Sequence, residues 1–150
     1  ELFDTDGPGT YLRNTGHEFG TVTGRPRRCG WLDAFMVKYA ARLNSMDALA
    51  ITRLDILDGL DEIKMCTGWT IDGEPIQHIP ADLSILAKAQ PVYETFKGWK
   101  KDISGVRSYG DLPKEAQAYL ARLSEVVGVE IGIVSVGPNR DQTFCLKEFF

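Results

Sequence analysis

Residues 113–138 read PKEAQAYLARLSEVVGVEIGIVSVGP, and this stretch decides the fold class. Between residues 112 and 128 the apolar side chains fall at Ala116, Tyr119, Leu120, Leu123, Val126 and Val127, which is the spacing of one helical face. Asp111 and Pro113 stand near the start of this helix. Gly128 stands just past its end, where a left-handed residue is tolerated. The run 129–136 is β-branched, has strand character and closes on Gly137-Pro138.

A second helix and strand precede this pair. Over 31–44 the apolar residues Trp31, Leu32, Phe35, Met36, Tyr39, Ala40 and Leu43 form a helical stripe that Asn44 can end. Residues 48–54 are nearly continuously apolar, the character of a strand covered on both faces. Two strands that each follow a helix imply an α/β fold with a mixed, partly parallel sheet and flanking helices. Further strands are expected at 63–69, 92–96 and 143–146, with a turn at Asp72-Gly73. Residues 74–90 carry Pro75 and Pro80 with weak periodicity, and no element is assigned there. Residues 5–30, rich in glycine and containing Pro8 and Pro26, read as mostly loop.

A chain of 150 residues, 43% of them hydrophobic, suffices for one ordinary core. Its net charge of -4 gives no field for a polyanion or an anionic bilayer, so neither nucleic acid nor membrane is expected as a partner. No apolar run approaches the ~20 residues of a membrane span. Cys29, Cys66 and Cys145 form no C-x-x-C pair, and neither His17 nor His78 sits at metal-ligand spacing from them. They read as small buried thiols in a reducing compartment, hence a cytoplasmic location. The start at Glu1 without methionine reads as a chain cut from a longer one.

Chemistry is best sought at the carboxyl ends of the buried strands, where open α/β sheets bind ligands. Arg53 and Asp55 end the strand 48–54, and on an extended chain both side chains would share a face. A carboxylate there can accept the paired N–H groups of a guanine edge, with the guanidinium against the purine face; it can equally form an ordinary ion pair. Ser135-Val136-Gly137-Pro138 ends the other strand, and Gly137 would let a ligand approach the backbone or simply serve a turn. The stretch Thr21-Val22-Thr23-Gly24-Arg25-Pro26-Arg27-Arg28 packs arginines beside hydroxyls, suited to a small dicarboxylate or a phosphate, or else to a solvated basic turn. Asp58, Asp61 and Glu62 could form an acid/base cluster but read as solvating the turn between two strands. The G-x-x-x-x-G-K-[ST], G-x-S-x-G and H-E-x-x-H motifs are absent.

Six blocks, in order along the chain, resemble the adenylosuccinate synthetase family. They are Glu18-Phe19-Gly20; Thr23-Gly24-Arg25-Pro26-Arg27-Arg28-Cys29-Gly30-Trp31-Leu32-Asp33; Leu54-Asp55-Ile56-Leu57-Asp58-Gly59-Leu60; Pro91-Val92-Tyr93-Glu94-Thr95 with Gly98-Trp99; Leu112-Pro113; and Ser135-Val136-Gly137-Pro138 with Arg140. The resemblance implies the C-terminal portion of a larger P-loop-like nucleotide-binding fold, with residues 1–30 as the aspartate and IMP loop region and 31–150 as the guanine-recognition part. It implies a ligase of AMP biosynthesis that turns IMP, L-aspartate and GTP into adenylosuccinate, GDP and phosphate. Phosphorylation of the IMP 6-oxygen supplies the leaving group that aspartate displaces.

By matching position the resemblance assigns Thr21, Val22, Thr23, Gly24 and Arg25 to aspartate and IMP. It assigns Arg27, Arg53, Leu54, Asp55, Ser135, Val136 and Gly137 to GTP. The family's phosphate loop and catalytic aspartate and histidine would lie upstream, so the chain itself supplies no catalytic and no metal-binding residue. Mg2+ would be held by that upstream part, and the intact enzyme would be a homodimer. Arg53 stands where many members have lysine, Pro26 interrupts the arginine run, and Asn139 replaces a frequent aspartate. Alone, the chain is expected to bind nucleotide weakly and not to catalyse. The alternative from a different class is a stand-alone, non-catalytic guanine-nucleotide binding module.

Overall fold

In the computed structural model, residues 7–148 are described. The opening segment Glu1 to Asp6, including its chain-start reading, lies outside them. The helix α1 spans Pro8–Gly16, β1 Leu32–Asp33, α2 Ala34–Asn44, β2 Leu49–Ile51, β3 Glu62–Ile71 and β4 Glu74–Ile76. They are followed by α3 at Leu83–Leu86, β5 at Gln90–Lys97, α4 at Lys114–Val127, β6 at Ile131–Ser135 and β7 at Thr143–Cys145.

The strands form two sheets. In the first, β3 pairs antiparallel with β5 along one edge, while its other edge carries parallel β1 at Met65 and Cys66 and antiparallel β4 at 69–71. In the second, β2 and β6 are parallel, with Ile51 opposite Val134, and β7 closes the far side of β6 antiparallel. The expected mixed α/β arrangement is therefore present, with its parallel pairing where helix–strand succession placed it. Helix α2 packs on α4 and on β3, and α4 packs on β5. Between these layers Ile63, Met65, Leu120, Leu123, Val134 and Val136 are fully buried.

Helix α4 matches its reading closely. Pro113 precedes its first turn, and Gly128 ends it in the left-handed region at φ 77°. The stripe at 31–44 is divided, because Leu32–Asp33 pairs with β3 and the helix begins only at Ala34. Asp33 causes the division. Its Oδ1 accepts from the Met36 amide at 3.0 Å as an N-cap, and its Oδ2 accepts from the Trp69 indole at 2.9 Å. The turn at Asp72-Gly73 has φ of 51° and 86°, the positive pair of a type I′ two-residue hairpin.

The described part of the stretch 5–30 is still mostly irregular, but it contains the helix α1 at Pro8–Gly16, which the loop reading did not foresee. Pro8 sits where a helix needs no N–H, and the helix packs its Tyr11 and Leu12 face toward the 3-10 turn Leu54–Leu57. The covered-strand reading of 48–54 is also corrected: β2 is short, and between buried Leu49 and half-buried Ile51 its Ala50 is exposed. Of the three thiols, all unbridged, Cys66 is buried, Cys29 half-buried and Cys145 exposed, so the buried-thiol reading fails at Cys145. No described helix is long and apolar enough to cross a membrane.

Candidate functional site

Beyond Ile51 the chain leaves the sheet abruptly. Arg53 adopts the left-handed conformation, φ 56° and ψ 45°, and Leu54–Leu57 coils into a 3-10 turn anchored by buried Leu54. Arg53 and Asp55 do meet, but through this turn and not through strand alternation. The Arg53 Nε donates to Asp55 Oδ1 at 3.1 Å and Oδ2 at 3.3 Å, and Nη2 donates to Oδ2 at 3.1 Å. Both carboxylate oxygens thus accept a forked pair of N–H groups. The pair is mostly sheltered, with side-chain exposures of 29% and 17%.

The end of β6 lies beside the end of β2, and the 3-10 turn packs against β6. Ser135, buried, donates its hydroxyl to the Gly137 carbonyl at 2.8 Å. Val136 turns its side chain into the core, and its amide donates to the Gln142 carbonyl at 2.9 Å. Among the residues assigned to GTP, Leu54 and Val136 are therefore core side chains that can meet a ligand only through their peptide groups.

The third segment is a hairpin. Phe19 and Pro26 face each other in an antiparallel bridge, with Gly20 donating to the Arg25 carbonyl at 2.8 Å and Arg27 donating to the Glu18 carbonyl at 2.9 Å. Pro26 thus occupies the non-hydrogen-bonded position, where its missing N–H costs nothing. The tip, Thr21 to Gly24, is exposed, and Val22 is 97% exposed. Gly24 turns the chain at φ 65°, and the Arg25 amide donates to Thr23 Oγ1 at 3.4 Å. Arg27 pairs with Glu18 at 3.1 Å, and Arg13 donates to the Arg27 carbonyl at 3.0 Å, so the hairpin stem is tied to α1.

The structure gathers the segments around 53–55 and 135–137 at one sheet edge and leaves the tip 21–25 standing in solvent. A cleft of about 580 Å³ connects the stem with the strand end, lined by Glu18, Arg28, Trp31, Thr52 and Arg53 over an apolar floor that includes Leu12 and Leu123. Arg28 was not singled out individually by sequence, although it belongs to the basic cluster. Gln142 was missed as well; its signal is the Asn139-x-x-Gln142 capping pattern, which the structure forms. Asp58 does not solvate a turn. It accepts from the Trp99 indole and from the Ile103 amide at 3.0 Å, and burial pushes its carboxyl above the ordinary aspartate range. Among the described residues no group of three or more His, Cys, Asp or Glu could hold a metal ion.

The family model described as adenylosuccinate synthetase matches residues 1–144. An adenylosuccinate synthetase of Geobacter metallireducens is 50% identical over 150 residues, covering 100% of this chain and 34% of its own length. One of Brachyspira hyodysenteriae is 53% identical over 150 residues, covering 100% of this chain and 35% of its own. A solved structure, that of fully ligated adenylosuccinate synthetase from Plasmodium falciparum, superposes with a TM-score of 0.87 at 41% identity, covering 93% of this chain and 34% of its own. The chain spans about a third of the length of the curated relatives it matches.

Proposed function

Since the chain belongs to the adenylosuccinate synthetase family, we propose that it is the guanine-reading and aspartate-binding portion of a ligase that makes adenylosuccinate from IMP, L-aspartate and GTP. In that reaction the γ-phosphoryl group of GTP passes to the 6-oxygen of IMP. The aspartate amine then adds at that carbon, the carbon–oxygen bond breaks and phosphate leaves.

The observation that carries the reading is the forked pair on Asp55. The N1–H and 2-amino edge of guanine is chemically a cyclic guanidine, and it offers two parallel N–H groups as the Arg53 side chain does. Asp55 already receives such a pair on both oxygens. Guanine binding is then an exchange of one fork for another, after which the released Arg53 can lie against the purine face. Adenine offers no such edge. The peptide groups of Ser135 to Gly137, at the same sheet edge, are suited to the remaining base edge, and the scheme also assigns Arg27 and the backbone of Leu54 to GTP.

The exposed tip Thr21, Val22, Thr23, Gly24 and Arg25 is assigned to L-aspartate and IMP, with Arg25 supplying a fork for a carboxylate or phosphate. On this scheme residues 1–30 serve aspartate and IMP, Arg27 excepted, and 31–150 serve guanine. Among the described residues no group of three or more His, Cys, Asp or Glu could hold a metal ion, and the scheme assigns magnesium to the upstream part of the full-length enzyme. Magnesium, homodimeric assembly and a cytoplasmic location follow as expectations for the full-length enzyme.

The test is adenylosuccinate formation by the full-length protein from IMP and L-aspartate, with either GTP or ATP. The reading predicts turnover with GTP faster than with ATP by about a hundredfold or more, since a site built to bond an N–H pair rejects a base lacking it. Equal rates with both nucleotides, or no product, would overturn it.

A further inference from the structure

The absence of a side chain at Gly137 has a reason inside the fold. A Cβ built there would land on the side-chain amide of Gln142. That amide is fixed at both of its polar atoms. Its Oε1 accepts from the Asn139 amide at 3.0 Å, and its Nε2 donates to the Ser104 carbonyl at 3.2 Å. The Gln142 carbonyl also accepts from the Val136 amide at 2.9 Å. One residue therefore touches Val136, Gly137, Asn139 and the separate loop at Ser104. From the inner side, the Ser135 hydroxyl holds the Gly137 carbonyl at 2.8 Å.

Resting on the guanine reading above, we propose that Gln142 is a positioning residue for base recognition: its amide fills the space over Gly137 and fixes the Ser135–Gly137 peptide groups in the orientation in which they meet the base. Gly137 is then glycine to admit a side chain of the protein itself, and ligand approach is not the reason. Fixed dipoles recognise a base edge better than mobile ones, because no ordering remains to be done on binding.

The two accounts of Gly137 separate in a double-mutant cycle in the full-length enzyme. Gln142→Ala removes the amide and both of its hydrogen bonds, and should raise the KM for GTP about tenfold while leaving those for IMP and aspartate within about twofold. Gln142→Glu keeps the acceptor for Asn139 and the cover over Gly137 but turns a carboxylate oxygen toward the Ser104 carbonyl in place of the donor, and should recover only part of the loss. Gly137→Ala should be damaging alone, in both KM for GTP and Tm, and should add little in the Gln142→Ala background, where the collision is gone.

Additive damage from Gly137→Ala in that background would show that the ligand needs the glycine, and would overturn the proposal. So would a Gln142→Ala enzyme with lowered Tm but unchanged KM for GTP. A wild-type enzyme indifferent to GTP or ATP would fail the guanine reading itself, and the role of Gln142 with it.

Discussion

Asp58 shows how much one side chain can join. Its carboxylate binds the Trp99 indole and the Ile103 amide, drawing the loop after β5 onto the turn that carries Asp55. Burial is the main cause of its raised pKa, with smaller contributions from the charges of Asp102 and Asp55, and the two donors act in the opposite direction. The sign follows: a folded-state pKa above the ordinary 3.8 means this group stabilises the fold most below that value and loses its contribution as pH rises through the raised one. Asp58→Ala would leave two sheltered donors unpaired and should lower stability by about 2–4 kcal/mol, read as a shift in the urea midpoint. Asp58→Asn should keep one acceptor and lose the pH term, so wild type should gain on it as pH falls toward 3.8. No sequence pattern announces this role, because the partners lie 41 and 45 residues away. Arg53 and Asp55, by contrast, were legible as a pair because they are near neighbours, though the left-handed turn that joins them was not.

At the scale of elements, β5 and α4 are joined by Arg122, whose Nε donates to Glu94 Oε2 at 2.8 Å and whose Nη2 donates to Oε1 at 2.9 Å. This fork holds the Glu94 carboxyl below its ordinary 4.5. The pair therefore contributes stability above 4.5 that is lost as pH falls through the lowered value, the opposite sense to Asp58. Both side chains are partly exposed, so solvent screens the effect. The stability advantage of wild type over Arg122→Met should shrink on acidification below 4.5, as followed by thermal melts across that range. An advantage independent of pH would assign the role of Arg122 to packing. Elements with strong periodicity and clear stops, such as α4, were legible in sequence. Helix α1 was not, because its glycines and Pro8 carry turn signals and its apolar face is only Tyr11 and Leu12, completed by the distant turn 54–57. The start of α2 was misplaced because Asp33 serves a cap and a cross-sheet indole together, and Trp69 lies 36 residues on.

At the scale of the molecule, two small sheets and two principal helices bring the ends of β2 and β6 together and hold the hairpin 18–27 against α1. The proposed division of labour would use this geometry, with the sheltered edge at 53–55 and 135–137 taking the base and the exposed tip 21–25 taking small anionic substrates. Residue types made the segments 53–55 and 135–137 visible in sequence, whereas their placement side by side depends on the parallel register of Ile51 against Val134. Asp55 is the residue proposed to read guanine, and the nucleotide preference of the full-length Asp55→Asn enzyme tests that role. An asparagine oxygen can still accept from N1–H, while its amide can donate to the 2-oxo group of xanthine. Kinetics with GTP and XTP should show kcat/KM for GTP falling and that for XTP rising until XTP is preferred; an enzyme that keeps its original preference for GTP would contradict the account.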